Sequence, residues 1–400
     1  MPSKVPKMQT ILLRATASLF ISAYILLAPS NLLGESPANP LRLVVPSVIY
    51  ATVGMEANIY LDNVVLTTNP ANYAFDVICA KGRQQQERWE FVPKSEDVGK
   101  HPLVLEVRNE RNEVVGRQEA TLHVVAASAG QGKTVSVLLI GDSLTHASVY
   151  TQRLLDLGKP AEGLHISLIG SHGPGAVLGE NRHEGYGGWT AQRFATHFTG
   201  TARQGDYSQR GSPFLYAGEK EAKKLDFAHY CQDVSGGKYP DYVLIFLGPN
   251  DIFSANDDSI ESTLDTMLKH YDELIAMVHA ASPKTIIGAM LPVPPAATQD
   301  AFGANYAAGQ TRWQYKRNQH RLVERMLEHY GSAKVAGVEL VPTHLNLDCT
   351  RNYPMESVLS SAHSSEKISR LNNGVHPSAA GYLQIGDSVY AWLKAQEVRK

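Results

Sequence analysis

Ser143 ends an apolar run, Leu138-Leu139-Ile140-Gly141-Asp142-Ser143-Leu144, and stands just ahead of a helical pattern from Val149 to Leu157. A serine at the end of a buried strand can expose its hydroxyl, and the N–H groups at a helix start face any negative charge that develops beside it. Such a hydroxyl attacks a carbonyl only with a base within hydrogen-bond reach. His376 in Gly374-Val375-His376-Pro377 is a candidate, since the following proline favours an extended, exposed backbone. Asn250 in Leu247-Gly248-Pro249-Asn250-Asp251 carries a carboxamide, which donates hydrogen bonds without charge or titration and so suits an oxyanion. The segment Gly185-Tyr186-Gly187-Gly188-Trp189-Thr190 is dense enough in glycine for close backbone approach. Each piece alone also has a plain structural reading. Gly-Asp-Ser is an ordinary turn with a helix cap, and an asparagine after proline is a good turn residue.

Taken together and in this order, the four segments resemble the SGNH (GDSL) hydrolases, a family of serine esterases and acylhydrolases. The resemblance covers roughly residues 134–400. It implies that Ser143 is the nucleophile and His376 the general base. It further implies that the N–H groups of Ser143 and Gly188, with the Asn250 amide, hold the oxyanion; Gly187 is the alternative glycine. Asp142 shapes the turn. No metal or organic cofactor enters this chemistry. One residue departs from the family pattern, which has an aspartate three positions before the histidine where this chain has Asn373. An amide can orient an imidazole but stabilises its cation only weakly, so the expectation is a Ser143–His376 dyad with Asn373 as orienter. A homologue of reduced activity is the alternative. Other histidines, among them His146, His229, His344 and His363, read as surface or packing residues.

The elements that must position these groups follow from periodicity. Apolar runs at 135–140, 164–169, 242–247, 285–291 and 335–341 alternate with helical stretches near 149–157, 190–198, 259–281, 311–330 and 378–394. Continuous apolar strands alternating with helices predict an α/β domain over 134–400, a three-layer parallel sheet with helices on both faces, flavodoxin-like as in the SGNH family. Sites in such folds form at the carboxyl ends of strands, where Ser143 and Asn250 both fall. Residues 37–127 instead alternate with a period of two, at Ile59–Leu61, Tyr73–Cys79, Trp89–Phe91, Leu103–Val107 and Leu122–Val125. That pattern predicts a small antiparallel all-β sandwich. Asp97-Val98-Gly99-Lys100-His101-Pro102-Leu103 resembles the approach to a late strand in bacterial immunoglobulin-like domains. Residues 128–133 read as a linker, and 200–224 as an irregular insertion.

Lys4, Lys7 and Arg14 precede an uncharged apolar stretch, Ala15 to Ala28, followed by Pro29 and Ser30. This is the layout of an export signal within residues 1–36, and Pro29 cuts the stretch short of the roughly 20 residues that span a bilayer. The expected location is therefore outside the cytoplasm, with no stable membrane insertion once the signal is removed; an uncleaved anchor is the alternative. A net charge of -2 gives no reason to expect nucleic acid as a partner. The 15 histidines are dispersed and no Cys/His cluster has metal-ligand spacing. Three cysteines are present, Cys79, Cys231 and Cys349, and any disulfide would join the last two. The expected activity is hydrolysis of a carboxylic ester through an acyl-enzyme, on a small-molecule or polysaccharide substrate, with carbohydrate O-acetyl esters favoured by analogy. A lipid or thioester acylhydrolase, using Leu144 and the 200–224 insertion to line an acyl groove, is the first alternative; a binding protein of weakened activity is the second. The oligomeric state is left open by the sequence.

Overall fold

The computed structural model describes residues 41–160, 163–199, 210–217, 223–307 and 309–399. The expected export signal lies outside the described residues, as does much of the 200–224 insertion. Residues 40–400 form one unit.

The front of this unit is built from two sheets. Strands β1 (Val48–Thr52), β3 (Ala74–Cys79), β6 (Gly99–Arg108) and β7 (Val114–Val125) make one, in the order β1-β7-β6-β3. Strands β2 (Ala57–Tyr60), β4 (Arg83–Gln84) and β5 (Arg88–Phe91) make the other. Alternating residues of both sheets share a core that includes Ile49, Ile59, Trp89, Phe91, Leu103, Leu105, Leu122 and Val124. The pairing is antiparallel with one exception: β1 runs parallel to β7, Val48 opposite Thr121 and Thr52 opposite Val125.

Chain geometry then changes. Strand β8 (Thr134–Gly141) is followed by α1 (Ser143–His146), α2 (Val149–Gly158), β9 (His165–Ile169), β10 (Glu184–Gly185) and α3 (Ala191–Thr196). A short ribbon of β11 (Leu215–Tyr216) and β12 (Lys224–Leu225) leads to α4 (Phe227–Ser235), β13 (Tyr242–Phe246), α5 (Pro249–Ile252) and α6 (Ile260–Ala281). Strand β14 (Ile286–Met290), α7 (Gln299–Tyr306), α8 (Arg312–Tyr330) and β15 (Val338–Val341) follow. The chain ends in a hairpin of β16 (Met355–Leu359) and β17 (Lys367–Leu371) and the long helix α9 (Ala379–Arg399).

Strands β8, β13, β14 and β15 lie side by side and parallel, and β9 and β10 both pair in parallel with the outer edge of β8. Side chains alternate between two cores. Leu138, Ile140, Val243 and Ile245 face α3, α4, α6 and α8. Val137, Leu139, Leu244 and Phe246 face α2 and α9. Burial of each such side chain stabilises the fold by about 1.5–3 kcal/mol, which is why uninterrupted apolar runs occupy the middle of the sheet. The strand order 9-8-13-14-15 reverses direction between β8 and β13. A crevice opens outside the carboxyl ends of two strands whose connections leave in opposite directions.

Two regions considered in the sequence take definite form. Cys231 and Cys349 are both free thiols, because α4 buries Cys231 in the core on one face of the sheet while Cys349 is buried in the core on the other. Residues 128–133, read as a linker, run as hydrogen-bonded turns packed on the domain: Ala129 is buried, and a side chain at Gly130 would strike Leu164. The front sheets are likewise seated on the α/β part. Asn63 donates to the carbonyls of His344 and Leu347, Asn346 Oδ1 accepts from Asn58, and buried Lys316 bonds Asp62.

Candidate active site

Gly141 ends β8 because nothing larger fits: a Cβ there would lie 2.0 Å from the Thr145 hydroxyl. Asp142 then caps the short helix α1, its Oδ1 accepting the Leu144 N–H at 2.9 Å. Ser143 is thereby set at the carboxyl end of the first parallel strand, half-buried at the first helical position.

His376 arrives from the far end of the chain. Asn373 accepts the backbone N–H groups of Val375 (3.1 Å) and His376 (2.9 Å) on its side-chain oxygen, closing the turn that carries the imidazole. Gly374 is pressed against the Phe302 ring, and its carbonyl accepts the Ala296 N–H at 3.1 Å. Asn305 also bonds the Asn372 carbonyl. Braced in this way, His376 Nε2 lies 2.8 Å from Ser143 Oγ, across 233 residues of sequence. For the hydroxyl to donate, the ring proton must sit on Nδ1. Among the described residues no hydrogen bond to that Nδ1 is made. Asn373 therefore acts on the backbone of residue 376 and makes no bond to its ring. Burial pushes the His376 pKa below its usual value near 6.5, and among the described residues no carboxylate raises it.

Asn250 sits at the end of the neighbouring strand β13, second in α5. Gly248 precedes it with φ +133°, and a side chain there would collide with Leu322. The Asn250 amide lies 3.2 Å from Asp142 Oδ2 and 3.2 Å from the Trp189 carbonyl, both long for N–H···O bonds. These two contacts join the segments carrying Ser143, Asn250 and Gly188. Gly188 itself is exposed with φ +74°, in a turn closed by Trp189 N–H donating to the Tyr186 carbonyl at 3.1 Å. Positive φ, not crowding, selects glycine here, since a Cβ would meet no atom within 4 Å. The glycine-rich segment is anchored from both sides. Tyr186 N–H donates to the Gly141 carbonyl at 2.9 Å, and Asp251 accepts the Ala191 N–H at 3.1 Å. Glu184, fully buried, gathers Tyr186 (2.5 Å), Tyr230 (2.6 Å) and both the N–H and hydroxyl of Ser171. Burial raises the pKa of Asp142 to about 7 and that of Asp251 to about 8.

Ser143, His376 and Asn250 are thus linked at the carboxyl ends of β8 and β13, with the Gly188 turn tied to them through Trp189, and Asn373 stands behind as a brace. Sequence reasoning missed the supporting cluster of His146, His172, His183 and Arg210, because dispersed histidines carry no spacing signal. Of the remaining histidines considered, His344 donates from Nε2 to the Val44 carbonyl in the core, at 2.7 Å, and His363 is exposed. No group of His, Cys, Asp or Glu among the described residues is arranged to hold a metal. No described helix is long and apolar enough to cross a membrane. A hydroxyl bonded to an unprotonated imidazole, with N–H donors alongside, can attack an acyl carbon and hold the oxyanion that results.

A search of curated proteins finds no match. Among solved structures, a carbohydrate esterase family 3 protein from Talaromyces cellulolyticus is 16% identical with TM-score 0.37, covering 66% of this chain and 99% of that one. A family 3 carbohydrate esterase from Clostridium thermocellum is 19% identical with TM-score 0.34, covering 64% and 94%. The carbohydrate acetylesterase Est24 from Sinorhizobium meliloti is 16% identical with TM-score 0.36, covering 66% and 99%. The model of the GDSL-like lipase/acylhydrolase family matches residues 139–383, well over half of the chain, and the chain belongs to that family.

Proposed function

We propose that this protein is an exported serine esterase that removes a short acyl group, acetyl above all, from a carbohydrate. The observation that carries the serine mechanism is the 2.8 Å bond between Ser143 Oγ and His376 Nε2. His376 takes the Ser143 proton as Oγ attacks the ester carbonyl. The N–H groups of Ser143 and Gly188 and the Asn250 amide hold the oxyanion, Asn250 turning one of its long bonds towards it. The imidazolium then protonates the leaving alcohol, and water attacks the acyl-enzyme by the same route in reverse.

A short acyl group is supported by the apolar side chains nearest the nucleophile. Leu144 and Trp189 are each 1% exposed, turned into the two cores and unavailable to line a groove for a long chain. The helix that carries Ser143 ends instead in a polar residue, His146, which bonds His172 and through it Arg210. The front β module we read as an immunoglobulin-like rigid spacer: Tyr60, Trp89 and Phe91 are buried, leaving no aromatic platform among them for a sugar. Export rests on the basic and apolar layout of residues 1–36.

Hydrolysis of p-nitrophenyl acetate against octanoate, with Ser143→Ala as control, tests the reading. Faster turnover of acetate, abolished in the variant, is expected. Preference for octanoate would make it a lipid acylhydrolase. Asn373 in place of a carboxylate favours a second reading, a binding protein with a weakened site; equal residual activity in wild type and Ser143→Ala would establish it.

A further inference from the structure

Three histidines beside the dyad form two hydrogen-bond chains whose polarity is fixed by their ends. The first starts on the glycine-rich segment. Gly185 N–H donates to His183 Nδ1 at 3.0 Å, so the ring proton is on Nε2, which donates to Ser148 Oγ at 2.8 Å. Ser148 in turn donates to the His146 carbonyl at 3.0 Å, on the turn that carries Ser143. The second starts on a cation. Arg210 Nη1 donates to His172 Nδ1 at 3.1 Å, leaving His172 Nε2–H to donate to His146 Nδ1 at 2.9 Å. The two rings lie within 8° of parallel. His172 and His183 are themselves joined by a pair of backbone bonds, 3.1 and 2.9 Å.

We propose that His183, His172 and His146 are positioning residues that clamp the nucleophile turn, residues 142–148, to the oxyanion segment, residues 185–189. The inference rests on the serine esterase reading above and assigns none of the three a part in the chemistry itself. Two observations show how closely the parts are fitted. A side chain on Gly185 would lie 2.6 Å from the His146 nitrogen, so the segments touch backbone to backbone. Ser148 has φ +60°, a conformation that a serine holds only when its surroundings impose it. The donors of the proposed oxyanion hole lie on both sides of this seam, the Ser143 N–H on one and the Gly188 N–H on the other. Slippage along it would separate them. Each ring must stay neutral to keep one donor and one acceptor. Burial and the facing Arg210 and His146 keep the His172 pKa down at about 4, and burial beside His172 and His146 keeps His183 at about 3.

The test uses His146→Phe, at an exposed position, and Ser148→Gly, which suits the positive φ and removes only the hydroxyl link. Each is expected to lower kcat on p-nitrophenyl acetate on the order of 10- to 100-fold, with KM within about twofold and the melting temperature nearly unchanged. His146→Gln, whose amide oxygen can accept from His172, is expected to restore most of the loss. Combined with Asn250→Ala, the total loss should be smaller than the product of the two single losses, because both act on the same hole. A raised KM with kcat intact would overturn the clamp and make His146 a substrate contact. Wild-type kcat in both variants would also overturn it, as would a loss that simply follows a fallen melting temperature. If Ser143→Ala is inactive while both variants retain wild-type kcat, only the clamp fails. If Ser143→Ala hydrolyses as fast as wild type, the esterase reading itself fails.

Discussion

Asn373→Ala separates two roles for the residue that stands in place of the expected carboxylate. The side-chain oxygen accepts two backbone N–H groups, those of Val375 and His376, and makes no bond to the imidazole. Leaving both donors without a partner in a half-buried turn costs about 1–1.5 kcal/mol each. If the whole of that falls on the loop conformer that brings His376 to Ser143, about 2–3 kcal/mol lowers kcat on the order of 30- to 150-fold. A residue that fixes the ring tautomer has a much larger effect, about 10,000-fold when the aspartate of a serine protease triad becomes asparagine. Asn373→Asp keeps the oxygen that accepts both N–H groups and adds a charge near the ring, so it should match or exceed wild type. Steady-state hydrolysis of p-nitrophenyl acetate, with thermal melts to confirm folding, gives both numbers. A 10,000-fold loss in Asn373→Ala would refute the brace and show that the amide governs the imidazole directly. An unchanged kcat would show that the loop holds His376 without it.

Further outcomes follow from the same geometry. The acid limb of kcat/KM should fall below pH 6.5, because burial lowers the His376 pKa and the neutral base persists to lower pH; Asn373→Asp should move that limb upward, and a wild-type limb at or above 6.5 would contradict the burial argument. Asn250→Ala should lower kcat by about 100- to 1,000-fold with little change in KM, the usual effect of removing one oxyanion donor; a loss confined to KM would make Asn250 a binding residue. Asp62→Ala leaves Lys316, whose side chain is only 3% exposed, without its carboxylate and should destabilise the fold by about 3 kcal/mol. Replacing Lys316 by Met in the same protein should recover most of that stability in denaturant melts.

Much of the α/β part is legible in the sequence because its central strands are buried on both faces. These carry continuous apolar runs such as Val243-Leu244-Ile245-Phe246, which no amphipathic helix would produce. Ser143 and Asn250 stand out for the same reason: the runs stop abruptly at glycines that only a sharp strand-to-helix turn requires. The β16–β17 hairpin was not legible, since Met355, Leu359 and Ile368 remain exposed and leave no one-sided pattern. Strand β1 also escapes, because nothing in its residues distinguishes a parallel partner from an antiparallel one. The histidine cluster is a matter of tertiary approach, with His146, His172 and His183 brought together by a loop that has little regular structure. The role of Asn373 depends on which of its neighbours' N–H groups face its side chain, and that is a property of the folded turn.

The measurement closest to the central claim is covalent capture of the nucleophile. Treated with a fluorophosphonate and digested, the wild-type protein should carry a single phosphonyl adduct on the peptide containing Ser143. His376→Ala should form it at least about a hundredfold more slowly, in keeping with the usual contribution of a general base, and Ser143→Ala should not form it. An adduct on another residue, or ester hydrolysis undiminished in Ser143→Ala, would contradict the account.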